Sequence, residues 1–142
     1  MSTSDDDVTW FERFGGLPFF ERLVEAFYDG IVTDEVLLPM YEGVDGDAPV
    51  DLGPAKRRLA LFLAQYWGGP MTYMEERGHP KLRARHFPFH VGPDERDRWL
   101  RHMTAAIYRV TDDPELRTTL LDYFVPAAEH LRNDSGLRLS PS

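Results

Sequence analysis

Cysteine is absent from the sequence, which excludes disulfide bonds, thiolate metal sites and catalytic thiols. No apolar run is long enough to span a membrane, and the acidic start Met1–Asp7 lacks the basic and apolar regions of a secretory signal. Gly-rich phosphate loops, metalloprotease histidine pairs and the Gly-x-Ser-x-Gly nucleophile elbow are missing as well. We therefore expect a soluble, cytoplasmic protein without a membrane span.

Basic residues are scarce in the first part of the chain. Residues 1–53 hold 13 acidic and 2 basic side chains, and the whole chain has a net charge of -8. Such an acidic region disfavours nucleic acids and anionic membranes as partners. The excess charge is most simply interpreted as a solvated surface that keeps the protein soluble.

The remaining pattern is that of an all-α protein. At 142 residues the chain fits one domain, predicted over residues 9–133 with flexible polar tails at 1–8 and 134–142. Thr9-x-x-Glu12 predicts a capping box that opens a short first helix, which Gly15-Gly16 ends. Pro18 suits the first turn of a second helix. Its apolar face follows at steps of three and four: Phe20, Leu23, Val24, Phe27, Tyr28 and Ile31.

Three further helices have the same spacing. Pro54 starts one that Gly68-Gly69-Pro70 ends, with an apolar stripe of Ala55, Leu59, Phe62, Leu63 and Tyr66. Pro93 opens a long helix with Trp99, Met103, Ala106, Ile107 and Val110 along one side. Pro114 opens the last, with Leu116, Leu120, Phe124, Ala127 and Leu131. The stretch Glu42–Gly53 predicts a loop, and Met71–Val91 has room only for short helical turns, of which Pro80–His86 is the clearest.

Histidine is the residue type here that is best suited to bind a metal. His86 and His90 have the spacing of a helical metal pair, but Pro88 between them spoils that geometry. His86 ends a short predicted helix beside phenylalanines, where a neutral imidazole can ligate iron or simply pack and hydrogen-bond. We expect His102 and His130, at the margins of long helices, to lie on the surface.

Two other groups of residues are open to two interpretations. A basic cluster suits carboxylates or phosphates, or else forms a solvated face; it comprises Arg58, Arg77, Lys81, Arg83 and Arg85. Tyr28 and Trp99 stand on otherwise apolar faces, and a buried phenol or indole needs a hydrogen-bond partner. That partner is backbone, water or a bound ligand.

An ordered set of motifs resembles the group II truncated haemoglobins over nearly all of residues 9–133. The centre of the match is Gln65-Tyr66-Trp67-Gly68-Gly69-Pro70, Tyr73, Glu76-Arg77-Gly78-His79-Pro80, Leu82-Arg83 and Arg85-His86-x-Pro88-Phe89. It continues in Glu95-Arg96-Asp97-x-Trp99-Leu100, Leu121-Asp122-Tyr123 and Ala127-Ala128, and upstream in Gly15-Gly16 and Phe27-Tyr28. The resemblance implies a globin-like two-over-two helical sandwich that encloses haem b and its iron.

The resemblance also implies roles for single residues. It makes His86 the proximal iron ligand, and it places a methyl group, that of Ala55, where classical globins carry a distal histidine. The distal hydrogen-bond donors to the haem ligand are Tyr28, Tyr41 and Trp99. Residues that match the walls of the pocket are Leu59 and Phe62 on the distal side and Leu82 and Val91 on the proximal side. Residues that match positions holding the haem propionates are Arg58, Tyr73 and Arg85.

The function implied is reversible binding of O2, as in oxygen transport, or of another diatomic ligand at a His-ligated iron. Nitric oxide dioxygenation or peroxidase-like reduction is a further activity open to such a site, and it would need an external electron donor or reductase. Two alternatives are a haem peroxidase proper and a haem-free helical interaction module. The sequence is also compatible with a homo-oligomer.

Overall fold

The structure is a computed structural model that describes residues 8–38, 52–78 and 92–130. These ranges contain α-helices and no strand: α1 Trp10–Phe14, α2 Leu17–Ile31, α3 Gly53–Tyr66, α4 Thr72–Arg77, α5 Pro93–Val110 and α6 Pro114–His130. The predicted all-α class is confirmed. Among these helices, none combines the length and the apolar composition needed to cross a bilayer.

The first helix begins and ends where local signals predict. The Thr9 hydroxyl accepts a hydrogen bond from the Glu12 backbone N–H at 3.1 Å, and the Glu12 carboxylate accepts one in return from the Thr9 backbone N–H. Both halves of the capping box are therefore present. Gly15 ends α1 with a φ of 114°, a left-handed conformation that glycine adopts without steric cost.

The core lies between two packed pairs of long helices. α2 packs against both α3 and α5, and α5 packs against α6. Every member of the predicted apolar face of α2 is buried, as are Met103, Ala106 and Ile107 on α5. Each large apolar side chain that is fully removed from water contributes about 1.5–3 kcal/mol. This arrangement agrees with the two-over-two sandwich that the resemblance implies.

The buried face of α3 differs from the predicted stripe. The buried residues are Ala60, Leu63 and Ala64. Tyr66, predicted to face the core, is 53% exposed. The spacing of three and four residues identifies an apolar face of α3 that is wider than the strip covered by neighbouring helices. The spacing therefore could not predict which edge of that face is buried.

Candidate functional site

Aromatic side chains from three helices meet where α2 packs against α5. Phe27 and Tyr28 are 0% and 4% exposed, and their ring centroids lie 5.1 Å apart. Trp99 on α5 lies 5.2 Å from Phe27 and 5.6 Å from Phe124 of α6, measured between ring centroids. Phe27 therefore joins the phenol of Tyr28 and the indole of Trp99 in one aromatic cluster.

Helix α3 adds a wall of apolar side chains that are only partly covered. Ala55, Leu59 and Phe62 pack against the core, but none of them is fully buried. Their spacing of four and three residues places them on one face of the helix. Phe62 also contacts the buried Tyr73 of α4, with ring centroids 5.6 Å apart. Apolar surface that is left partly uncovered in this way is suited to an apolar ligand.

Three consecutive basic residues of α3 differ in their partners. Lys56 forms a salt bridge with Glu25, and Arg57 binds Glu76 through two hydrogen bonds of 2.6 and 2.8 Å. The Glu76 hydrogen bonds raise the pKa of Arg57, and the same contacts lower the pKa of Glu76. Arg58 is partly buried and forms no ion pair with any residue in the described ranges. Its guanidinium is therefore available, within these ranges, to an anionic group.

The wall and the arginine together suit a flat apolar group that carries carboxylates. The partly covered side chains of α3 and Trp99 offer apolar contact, and Arg58 offers a charge-assisted donor. Haem combines an apolar macrocycle with two propionates, so the residues in the described ranges fit it.

A buried carboxylate just after α2 forms a polar cluster that the sequence did not predict. Asp34 is 7% exposed, and its Oδ1 accepts hydrogen bonds from the backbone N–H groups of Val36 and Leu37 at 2.9 and 3.0 Å. Arg98 Nη1 lies 3.2 Å from the same oxygen, and His102 Nε2 lies 2.7 Å from Oδ2. The prediction of a surface position for His102 is wrong, because its side chain is 19% exposed and contacts this carboxylate.

The charge of Asp34 follows from these contacts. Burial acts to raise the pKa of Asp34, since it penalises the ionised form. The hydrogen bond from His102 and those from two backbone amides, together with the charge of Arg98, outweigh burial and hold the pKa at about 2 instead of 3.8. The carboxylate is therefore ionised at neutral pH and accepts hydrogen bonds only.

We expect Asp34 to stabilise the fold at neutral pH and to lose this effect in acid. Because its pKa is lower in the folded chain than in the unfolded chain, the stabilisation is complete above the unfolded value of 3.8 and disappears as the pH falls towards 2. The shift is equivalent to about 2 kcal/mol. Urea unfolding of the wild type and Asp34→Asn should show a stability difference that narrows between about pH 5 and about pH 2.5. Asp29→Asn, at an exposed ion pair, is the control, and a difference that stays constant with pH would contradict this role.

The structure covers some of the predicted site residues and not others. Tyr28 and Trp99 share one aromatic cluster, while Leu59, Phe62, Arg58 and Tyr73 lie on or beside the wall of α3. Five predicted site residues fall outside the described ranges: Tyr41, Leu82, Arg85, His86 and Val91. Phe27 and Phe124 were not among the predicted site residues, although they are the rings that contact Trp99.

Comparison with known proteins finds similarity along most of the chain. The family model described as bacterial-like globin matches residues 9–133. Group 2 truncated hemoglobin YjbI of Bacillus subtilis is 36% identical over 120 residues, which cover 84% of this chain and 86% of the relative. A thermostable hemoglobin from Thermobifida fusca is 50% identical with a TM-score of 0.82, over 89% of this chain and 98% of that one. The group II truncated hemoglobin from Bacillus anthracis is 36% identical with a TM-score of 0.79, over 89% and 97%.

Proposed function

This chain belongs to the bacterial-like globin family, and we infer that as a group II truncated haemoglobin it binds haem and takes up O2 or another diatomic ligand reversibly. Haem, when bound, supplies an iron centre with a position open to such a ligand. The observation that carries this function is the aromatic cluster in which Phe27 joins Tyr28 to Trp99, beside the partly covered wall of α3.

Oxygen titration of the reduced, haem-loaded protein tests this function. We expect a saturable change in the visible spectrum with isosbestic points, which reverses when O2 is removed. A spectrum that does not respond to O2, or that changes irreversibly on the first addition, would count against reversible binding.

We assign His86 as the residue that holds the iron on the proximal side. Support comes from its place in the run Arg85-His86-x-Pro88-Phe89, inside the span of the family match. A neutral imidazole is a common protein ligand for haem iron. The proximal wall beside it is assigned to Leu82 and Val91.

The distal side is where this chain supplies hydrogen-bond donors. Tyr28, Tyr41 and Trp99 are proposed to donate hydrogen bonds to the diatomic ligand, where they would stabilise partial negative charge. Ala55 has only a methyl group and donates nothing, so the phenols and the indole must provide the polarity. Leu59 and Phe62 are proposed to complete the distal wall, and their incomplete burial supports this role.

The haem propionates are assigned to Arg58, Tyr73 and Arg85. For Arg58 the support is structural, because its two neighbours Lys56 and Arg57 are engaged with carboxylates and it is not, within the described ranges. An arginine can bind a propionate bidentately, and a tyrosine hydroxyl can donate to one.

Arg58→Gln should release haem faster than the wild type. One partly solvated charge-assisted hydrogen bond is worth roughly 1 kcal/mol here, so we expect transfer to an acceptor apo-globin to accelerate about fivefold. Arg57→Gln is a matched control on the same helix, since Arg57 already binds Glu76. Equal transfer rates for the two variants would remove Arg58 from the propionate site.

A further inference from the structure

We propose that Asp34 is a positioning residue for the distal pocket, which fixes both the turn after α2 and the direction of Trp99 on α5. The inference rests on the proposed function, because it concerns the same donors. The Asp34 side chain is 4% exposed. Its carboxylate accepts hydrogen bonds from two separate parts of the fold, the turn after α2 and helix α5.

The first part held by Asp34 is the turn that follows α2. Its Oδ1 binds the N–H groups of Val36 and Leu37, and its backbone carbonyl accepts from Leu38 N at 2.9 Å. Leu37 is 2% exposed, so this turn is anchored in the core as well. Asp34 therefore fixes this turn as far as Leu38, at the end of the first described range.

The second part is the turn of α5 that carries Trp99. Arg98 precedes Trp99 directly, and His102 lies one helical turn after Arg98 on the same face. Trp99 is rotated from that face by about 100°. Because Asp34 binds both Arg98 and His102, it opposes rotation of α5 about its own axis. Such a rotation would swing the indole relative to Phe27.

Helix α2 holds the imidazole of His102 from its other side. A Cβ placed at Gly30 would clash with His102 Nδ1, so the ring lies directly against the α2 backbone. Since ionised Asp34 has no proton to give, His102 Nε2 must donate the bond of 2.7 Å. The imidazole is thus fixed between the backbone of α2 and the carboxylate, and it fixes α5 in turn.

The structure provides a matched control for this contact. Arg109 and Asp29 form an ion pair of 2.9 Å that also joins α5 to α2, but its side chains are 63% and 52% exposed. An exposed pair of this kind contributes little. Asp29→Asn therefore removes a bridge between α2 and α5 without touching the buried carboxylate.

The test compares Asp34→Asn, His102→Leu and His102→Gln with Asp29→Asn, all in the haem-loaded protein. Three quantities are measured at one pH: the O2 dissociation rate, the C–O stretching frequency of the CO complex, and amide hydrogen exchange at Val36 and Leu37. We expect Asp34→Asn and His102→Leu to release O2 about threefold to tenfold faster and to shift the C–O frequency. Asp34→Asn should also speed exchange at the two amides. A glutamine amide can donate from nearly the same position as Nε2, so His102→Gln should stay near the wild type, as should Asp29→Asn.

Several results would overturn this role for Asp34. One is wild-type O2 release and C–O frequency in a folded, haem-loaded Asp34→Asn. Another is an equal change of O2 release and C–O frequency in His102→Gln and His102→Leu. The packing of the imidazole, and not its donated hydrogen bond, would then be what positions Trp99. If Asp34→Asn does not fold, the two His102 variants decide. A wild type without haem would instead refute the proposed function, which keeps the two failures distinct.

Discussion

Replacing His86 with alanine is expected to abolish retention of haem while leaving the helical core in place. Loss of a residue that only supports a metal ligand typically weakens metal binding about 10- to 100-fold, so loss of the ligand itself should exceed about 100-fold. Within the part of the chain that the structure describes, the buried side chains of α2, α5 and α6 pack with one another in one core. The measurement is the ratio of haem to protein after hemin addition and gel filtration, with far-ultraviolet circular dichroism to check the fold.

Two histidines in the described ranges show why no substitute for His86 is expected there. His102 is bound to Asp34, and His130 is exposed at the end of α6, as predicted. His130→Ala is therefore a suitable control and should retain haem in full. Added imidazole should restore a haem spectrum to His86→Ala, because it supplies the missing ligand. A His86→Ala protein that purifies with full haem and an unchanged spectrum would show that the proximal assignment is wrong.

Trp99→Phe is expected to release O2 faster without a large loss of stability. Phenylalanine keeps a ring beside Phe27 and Phe124 but removes the indole N–H. One neutral hydrogen bond contributes roughly 0.5–1.5 kcal/mol, so the dissociation rate should rise up to about tenfold. Stopped-flow measurement of O2 release gives the rate, and thermal melts check the fold.

Two further variants separate the hydrogen bond from the bulk of the indole. Trp99→Leu removes both, so a larger rise there than in Trp99→Phe measures how far the ring blocks ligand escape. Tyr28→Phe removes one phenol, and we expect a smaller effect because Tyr41 is proposed to donate as well. If Trp99→Phe released O2 at the wild-type rate, Trp99 would be a core residue and the proposed donor cage would not exist.

Local signals predicted the helices well because their causes are local. The Thr9 capping box, the left-handed Gly15 and the apolar face of α2 all depend on residues within a few positions of one another. Proline in the first turn marks the starts of α2 and α5 for the same reason. Each of these predictions is confirmed.

Interactions between distant parts of the chain were not visible in the sequence. Asp34 and His102 are 68 residues apart, and nothing in the spacing around either one indicates the other. A polar residue outside the apolar face of a helix is usually solvated, and that expectation failed for His102 because a buried carboxylate faces it. Tyr66 failed for a related reason, since periodicity marks an apolar face but not which part of it a neighbour covers.

For the candidate site, too, local spacing predicted some features and only the structure showed the contacts between distant residues. Helical spacing alone placed Tyr28 and Trp99 on apolar faces, and the structure joins them through Phe27. Helical spacing alone could not decide whether the basic residues bind a ligand or form a solvated surface. Within the described ranges the structure separates Arg58 from Arg57, because Arg57 binds the Glu76 carboxylate and Arg58 has no carboxylate partner there. The roles of His86 and Tyr41 stay predictions based on the motifs.

Stepwise addition of hemin to the haem-free protein, followed by absorption in the Soret region, tests haem binding most directly. We expect a sharp Soret band that grows linearly and stops at one haem per chain. The band should lose its sharpness in His86→Ala and keep it in His130→Ala. A wild-type protein that leaves hemin with the broad spectrum of the free compound, with no break at one equivalent, would contradict the central conclusion that this chain is a haem protein.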